Sequence, residues 1–366
     1  MAKSFALVLT IAVLTPLAGA QDLFEGMPAP ALEIAKWVKG EPVKLEKGKV
    51  YVIDFWATWD GARAFSLPHL SELQDHYRGK VTIIGVTRAD ERANTLDAVV
   101  KMVADKGAGM GYTVAWDDQG RTWAAYMTAA AQARLPVSFL VDKRGRIAFI
   151  GPPNQLDIPV ARVIEGKWDP LGAGELMARI SQKVGEIRRV AQSDPEAGVE
   201  RIDKLLAEIP ELKLMLDGIR LQCLLGAGMV DAYYEQAHEA VAKAIKYSNP
   251  RDLNEIAWTI VDPEGKISKR DLDLALEAAE KAVAYTRAED AAILDTLARV
   301  WFLKLKVAKA IGLQTQAVAV QVRAVEKAKA DGNTRLAVRH EEQLDGLRKT
   351  LDEYEAAAAK KAGDSG

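Results

Sequence analysis

The chain has a single cysteine, Cys223, among 366 residues. That excludes an intramolecular disulfide framework and any cysteine-based metal cluster. Histidine is scarce as well: His69, His76, His238 and His340 are scattered, so a histidine-rich metal site is not expected. No excess of one charge exists, with 49 basic against 51 acidic residues and a net charge of −2. A nucleic-acid partner, which needs a basic field, is therefore not expected. Apolar runs are short. The longest, Phe5 to Leu14, lies at the N-terminus and falls well below the ~20 residues a membrane-spanning helix requires. What remains is an ordinary globular composition, 27% charged and 49% hydrophobic, in a length suited to about two domains.

Residues 1–20 carry Lys3 ahead of that apolar run, then Ala18-Gly19-Ala20 in A-x-A spacing. This is the pattern of a secretory signal peptide, with cleavage expected after Ala20. The mature chain is then expected to be exported, periplasmic or secreted, with no membrane association.

Residues 21–169 alternate strand and helix signals. Val50-Tyr51-Val52-Ile53-Asp54-Phe55 reads as a central strand, and Phe65, Leu67, Leu70, Leu73 and Tyr77 mark a helix over 61–77. Val81–Thr87 is a second strand, and Leu96, Val99, Val100 and Val103 mark a second helix. Further strands are expected at 112–116, 137–141 and 146–150, with a helix over 122–131. Asp142-Lys143-Arg144-Gly145 reads as the turn of a terminal hairpin. This order implies a mixed sheet covered by helices. From 170 to 355 the strand signals stop, and apolar residues recur at helical spacing, as in Leu176, Ile180, Val184 and Ile187. Asp194-Pro195 opens one helix, Ser268 with Asp271 forms an approximate capping box before Leu272, and 356–366 reads as a flexible tail.

Residues 55–63 read FWATWDGAR, directly after the buried strand and at a helix start. This resembles the active-site segment of the TlpA-type, thioredoxin-like thiol:disulfide oxidoreductases, normally FWATWCGPC. Gly26-Met27-Pro28-Ala29-Pro30, Leu67-Pro68-His69-Leu70 and Leu135-Pro136-Val137-Ser138-Phe139-Leu140-Val141-Asp142 follow in family order. The resemblance spans 26–168 and implies an α/β thioredoxin-like domain. It also implies that Leu135-Pro136 is a cis peptide facing the motif helix, where an extended peptide can pair with the backbone. Both family cysteine positions depart from the pattern: Asp60 and Arg63 occupy them, and Ala62 replaces the intervening proline. Thiol exchange needs a thiolate nucleophile and a resolving thiol. Neither residue supplies one, so no catalytic residue, cofactor or metal is expected. Asp60 reads as a helix cap paired with Arg63, or as part of a recast binding site beside Trp59. The binding groove would comprise Trp59, Asp60, Arg63, Leu135 and Pro136, with an exported protein or peptide as partner and an unspecified oligomeric state. A redoxin-class enzyme acting through another residue such as Cys223, or a structural scaffold, are the competing readings. Cys223 itself, among Leu221, Leu224 and Leu225, reads as buried and structural. Asp117, Asp118 and Asp142 sit in turns, where aspartate serves the backbone.

In the helical half, Leu276, Ala279 and Ala282, followed by Leu294, Leu297, Ala298 and Trp301, resemble tetratricopeptide-type helical hairpins over 254–328. The prolines of that consensus are missing.

Overall fold

A computed structural model describes residues 22–61, 63–265, 267 and 269–363. The leader segment 1–20, Ser268 and the side chain of Arg63 lie outside the described residues. Six strands form one sheet: β1 (Lys36–Lys39), β2 (Val50–Phe55), β3 (Val81–Thr87), β4 (Thr113–Trp116), β5 (Val137–Val141) and β6 (Ile147–Gly151). Their spatial order is β1-β4-β3-β2-β5-β6. The central pairs β2/β3 and β3/β4 are parallel, and the remaining pairs are antiparallel. The sheet is mixed, as the order of elements implies.

Every residue of β2 is buried. Its two-residue period sends Val50, Val52 and Trp56 into one core layer and Tyr51, Ile53 and Phe55 into the other. The first layer receives Leu67, Leu70 and Leu73 of α1 (Arg63–His76), Val99 and Val103 of α2 (Leu96–Lys106), and Val160 and Val163 of α4 (Asp157–Glu165). The second packs on α3 (Arg121–Trp123), which continues as a π turn, Ala124–Thr128, rather than as the expected α-helix over 122–131. There Phe55, Tyr126 and Phe139 meet edge-on or tilted at 5.2–5.8 Å between centroids. Such contacts add about 0.5–1.5 kcal/mol each beyond burial.

Beyond Trp168 the chain is all α: α5 (Ala173–Ser193), α6 (Pro195–Glu208), α7 (Lys213–Gly226), α8 (Val230–Lys246), α9 (Pro250–Val261), α10 (Leu272–Thr286), α11 (Ala291–Leu303), α12 (Val307–Ala330) and α13 (Thr334–Gly363). Ile180, Val184 and Ile187 face one continuous core with α6 to α11. Caps set several boundaries. Asp194 Oδ1 accepts from Ala197 N–H ahead of Pro195, and Asp271 caps α10 itself by accepting from Asp273 and Leu274. α13 continues to Gly363, into the stretch assigned above to the tail; the run Ala356–Ala359 has high helix propensity.

The two halves are fastened together. Trp168 packs on both cores, and its indole N–H donates to Ala148 O at 2.7 Å. Asp75 of α1 receives Lys246 and the Tyr247 hydroxyl, and Glu72 pairs with Lys243 at 3.2 Å. A Cβ on Gly109 would stand 2.9 Å from Tyr247 O, so the backbones meet closely there. No described helix is long and apolar enough to cross a membrane.

Candidate functional site

The segment after β2 forms a turn before α1 begins at Arg63. Asp60 stands three residues ahead of Arg63, the first described residue of that helix. It is buried, 8% exposed, and its N–H donates to Ala57 O at 3.2 Å. Trp59, beside it, is 37% exposed.

Two side-chain clamps hold this turn. Thr58 donates from both its N–H and its hydroxyl to Asn94 Oδ1, each at 2.8 Å. Asn94 is itself 1% exposed, and its amide donates back to Thr87 Oγ1 at 2.8 Å and to Arg88 O. The second clamp acts on Trp59, whose indole N–H donates to Asp90 Oδ2 while the Arg92 guanidinium lies 4.4 Å over the ring. Asp90 Oδ1 accepts from the N–H groups of Arg92 and Asn94, which fixes the loop carrying both clamps. The sequence motif names neither Asn94 nor Asp90 and Arg92. Their only signal is a polar cluster directly after a buried strand.

β5 brings the second half of the site alongside. Phe55 pairs with Val137 and Asp54 with Ser138. Leu135-Pro136 therefore enters at the strand end from which the motif turn departs, and its peptide bond is cis. Both residues are half-exposed. The structure thus places Trp59, Asp60, Leu135 and Pro136 at one end of the sheet. Arg63 opens α1 there by its backbone, and the proposed pairing of its side chain with Asp60 lies outside the described residues.

Below the turn sits a group that motif reading passes over. Asp54 is fully buried, and Ser138 Oγ donates to its Oδ1 at 2.6 Å. Its Oδ2 has no hydrogen-bond partner, nor do the nearby Trp56 Nε1 and Tyr112 hydroxyl. Burial pushes the Asp54 carboxyl up to about 7; the Ser138 bond opposes the rise and the charge of Asp60 adds to it. Gly85, the cross-strand neighbour of Asp54, makes room: a Cβ there would lie 3.0 Å from both Trp56 Nε1 and the Tyr112 ring. The sequence signal was present as an aspartate inside an otherwise apolar strand.

Cys223 is 1% exposed in α7, packed in the helical core against Gly198, and burial raises its thiol above the ordinary range. It is not part of the turn. Asp117 and Asp142 serve backbone turns, accepting from Trp123 N–H and from the N–H groups of Arg144 and Arg146. Among the described residues, no group of three or more His, Cys, Asp or Glu is arranged to hold a metal ion.

The Redoxin family model matches residues 24–161. Protein FixW of Rhizobium leguminosarum is 28% identical over 197 residues, covering 50% of this chain and 85% of that protein. The thiol-disulfide oxidoreductase ResA of Bacillus anthracis is 30% identical over 124 residues, covering 33% of this chain and 66% of ResA. A thiol-disulfide isomerase structure from Corynebacterium glutamicum aligns over 38% of this chain and 97% of its own, with TM-score 0.32 and 21% identity. With the mixed sheet, the cis Leu135-Pro136 bond and the ordered motifs, the family-model match and the FixW and ResA sequence matches place residues 24–161 of this chain in the TlpA-type, thioredoxin-like redoxin family.

Proposed function

We propose that this chain is an exported redoxin-domain protein that has lost thiol chemistry and binds a protein or peptide partner at the face where its relatives react. One observation carries the reading: Asp60 and Arg63 stand at the family's cysteine positions, and the sole cysteine is buried in the other domain. A carboxylate can neither attack a disulfide sulfur nor be left as a thiolate. The groove reading draws support from the turn, which keeps Trp59 partly exposed at the end of the sheet where the partly exposed Leu135-Pro136 enters. Backbone pairing of an extended peptide there needs no thiol. Export draws on the signal-peptide pattern of residues 1–20, and the hairpin resemblance of the helical half is compatible with a second partner surface.

The test is insulin-disulfide reduction by the purified mature chain with dithiothreitol as electron donor. The expected rate equals that of dithiothreitol alone. Turnover above that background that disappears in Cys223→Ala would replace this reading with an enzymatic one.

A further inference from the structure

Two arginines of one loop are stacked on two tryptophans at the motif end of the sheet. Arg88 and Arg92 both belong to the loop that follows β3, which also carries Asp90 and Asn94. The Arg92 guanidinium lies 4.4 Å over the Trp59 ring, and that of Arg88 lies 4.6 Å over Trp123. Trp123 in turn meets Phe55 edge-on at 5.7 Å and packs, as Leu135 does, against the core layer on that side of the sheet. The loop thus holds one guanidinium on the motif turn and one on the layer that carries Leu135.

The acids at this end are engaged, and the arginines are not. Asp90 accepts from the Trp59 indole and from two backbone N–H groups, Asp117 from Trp123 N–H, and Asp118 from the Trp116 indole at 3.3 Å. Asp60 is buried, and Glu33 is paired with Arg121 at 2.8 Å. Among the described residues Arg88, Arg92 and Arg134, the last next to Leu135, form no ion pair. The Nε of Arg88 is buried without a hydrogen-bond partner, which is costly unless an acceptor meets the guanidinium. A guanidinium stacked on a ring has its face covered and keeps its in-plane N–H fork for a carboxylate. Stacking also sets the fork in place beforehand, so less side-chain freedom is lost on binding.

These forks stand at the sheet end where an extended chain would pair. We propose that the peptide taken at Leu135-Pro136 is acidic, with Asp or Glu side chains received by Arg88 and Arg92. This rests on peptide binding at that groove and adds the chemistry of the partner to it. Alternate residues of an extended peptide face the same way, so acids at every second position reach one side of the groove. A nucleic-acid strand fits less well, because the chain has no basic field, with 49 basic against 51 acidic residues.

The experiment is fluorescence anisotropy of the full mature chain at low salt with labelled, end-blocked peptides of about ten residues that alternate Thr with Glu, Gln or Lys. A single-stranded oligothymidylate is titrated in parallel. Saturable binding of the Glu peptide is expected, about tenfold or more tighter than that of the Gln peptide and weakening with added salt. Arg88→Gln and Arg92→Gln should each weaken it about tenfold, and Arg92→Lys should not restore it in full. The remote substitution Arg323→Gln should leave it unchanged. Arg92 is exposed on its loop, so its variant decides the matter even if Arg88→Gln fails to fold. Equal binding of all three peptides, still weakened by Trp59→Ala, would overturn the acidic preference and leave the groove reading in place. Glu-peptide binding indifferent to Arg92→Gln, or oligothymidylate bound more tightly than the Glu peptide, would overturn the proposal. Binding of none of the peptides would overturn the proposal and the groove reading together.

Discussion

Replacing Asp54 by asparagine should stabilise the protein in alkaline solution and leave it unchanged in acid. The Asp54 carboxyl titrates at about 7 in the fold against 3.8 as its ordinary value. Between those two pH values the folded chain keeps a proton that the unfolded chain has released. Stability is therefore full below about pH 4, falls as pH rises towards 7, and is level above. A shift of about three pH units corresponds to a ceiling of about 4 kcal/mol at 1.36 kcal/mol per unit. Water drawn to the ionised carboxylate reduces this, and about 2–4 kcal/mol is a reasonable range for the loss. Asparagine cannot ionise, and its Oδ1 can still accept from Ser138. Its amide meets the same unpartnered space as the protonated Oδ2 does in acid, so the two proteins are near-equivalent only below about pH 4, where Asp54 is protonated in both folded and unfolded chains. At about pH 8 the variant should melt about 5–15 °C higher, using about 2–4 °C per kcal/mol for a domain of this size. Asp157, also raised to about 7 by burial, imposes the same trend on both proteins and cancels in the difference. The assay is thermal unfolding by circular dichroism at about pH 3.5 and about pH 8. An equal difference in Tm at both pH values, or none at either, would refute the reasoning.

Two further outcomes follow from the same packing. The double substitution Asp60→Cys with Arg63→Cys, in a Cys223→Ala background, should give a reducible disulfide whose first thiol titrates below the free value of about 8.5, because it sits near a helix N-terminus; thiol titration and insulin reduction read this directly, and a folded variant whose cysteines stay unpaired would contradict it. Tyr354 is fully buried and stacks on Phe302 at 4.3 Å, so Tyr354→Ala should cost about 3–5 kcal/mol and loosen α13 from α11; denaturant unfolding checks it, and a cost below about 1 kcal/mol would show that the helix end contributes little.

Some of this architecture could be read from local pattern, because local forces decide it. β2, β3 and β5 are buried on both faces, so their sequences are continuous apolar runs that any register must bury. The hairpin of β5 and β6 was visible in its turn residues for the same reason. β1 was not visible. It reads Lys36-Trp37-Val38-Lys39, a short edge strand whose lysines do what edge lysines do, and it pairs only through contact with a distant β4. α4 was missed because Pro159 and an apolar start obscure its period, although Gly166 ends it in the left-handed region at φ 73°. At the site, the motif located Trp59, Asp60, Leu135 and Pro136. Asn94 could not be located, since its role depends on the loop bringing it under Thr58 across 36 positions of sequence.

The site also shows why losing two cysteines need not dissolve the face that carried them. The turn is held by Thr58 on Asn94, by Asn94 on Thr87, and by Trp59 between Asp90 and Arg92. None of these contacts involves position 60 or 63. β2 and β5 fix the other side through backbone pairing up to Phe55 and Val137. What position 60 does alter is the electrostatics beneath. A carboxylate there adds its charge to the burial that already raises Asp54. Asp60→Asn should accordingly lower the pH at which Asp54 ionises and narrow the advantage of Asp54→Asn in alkali, while leaving both clamps of the turn in place.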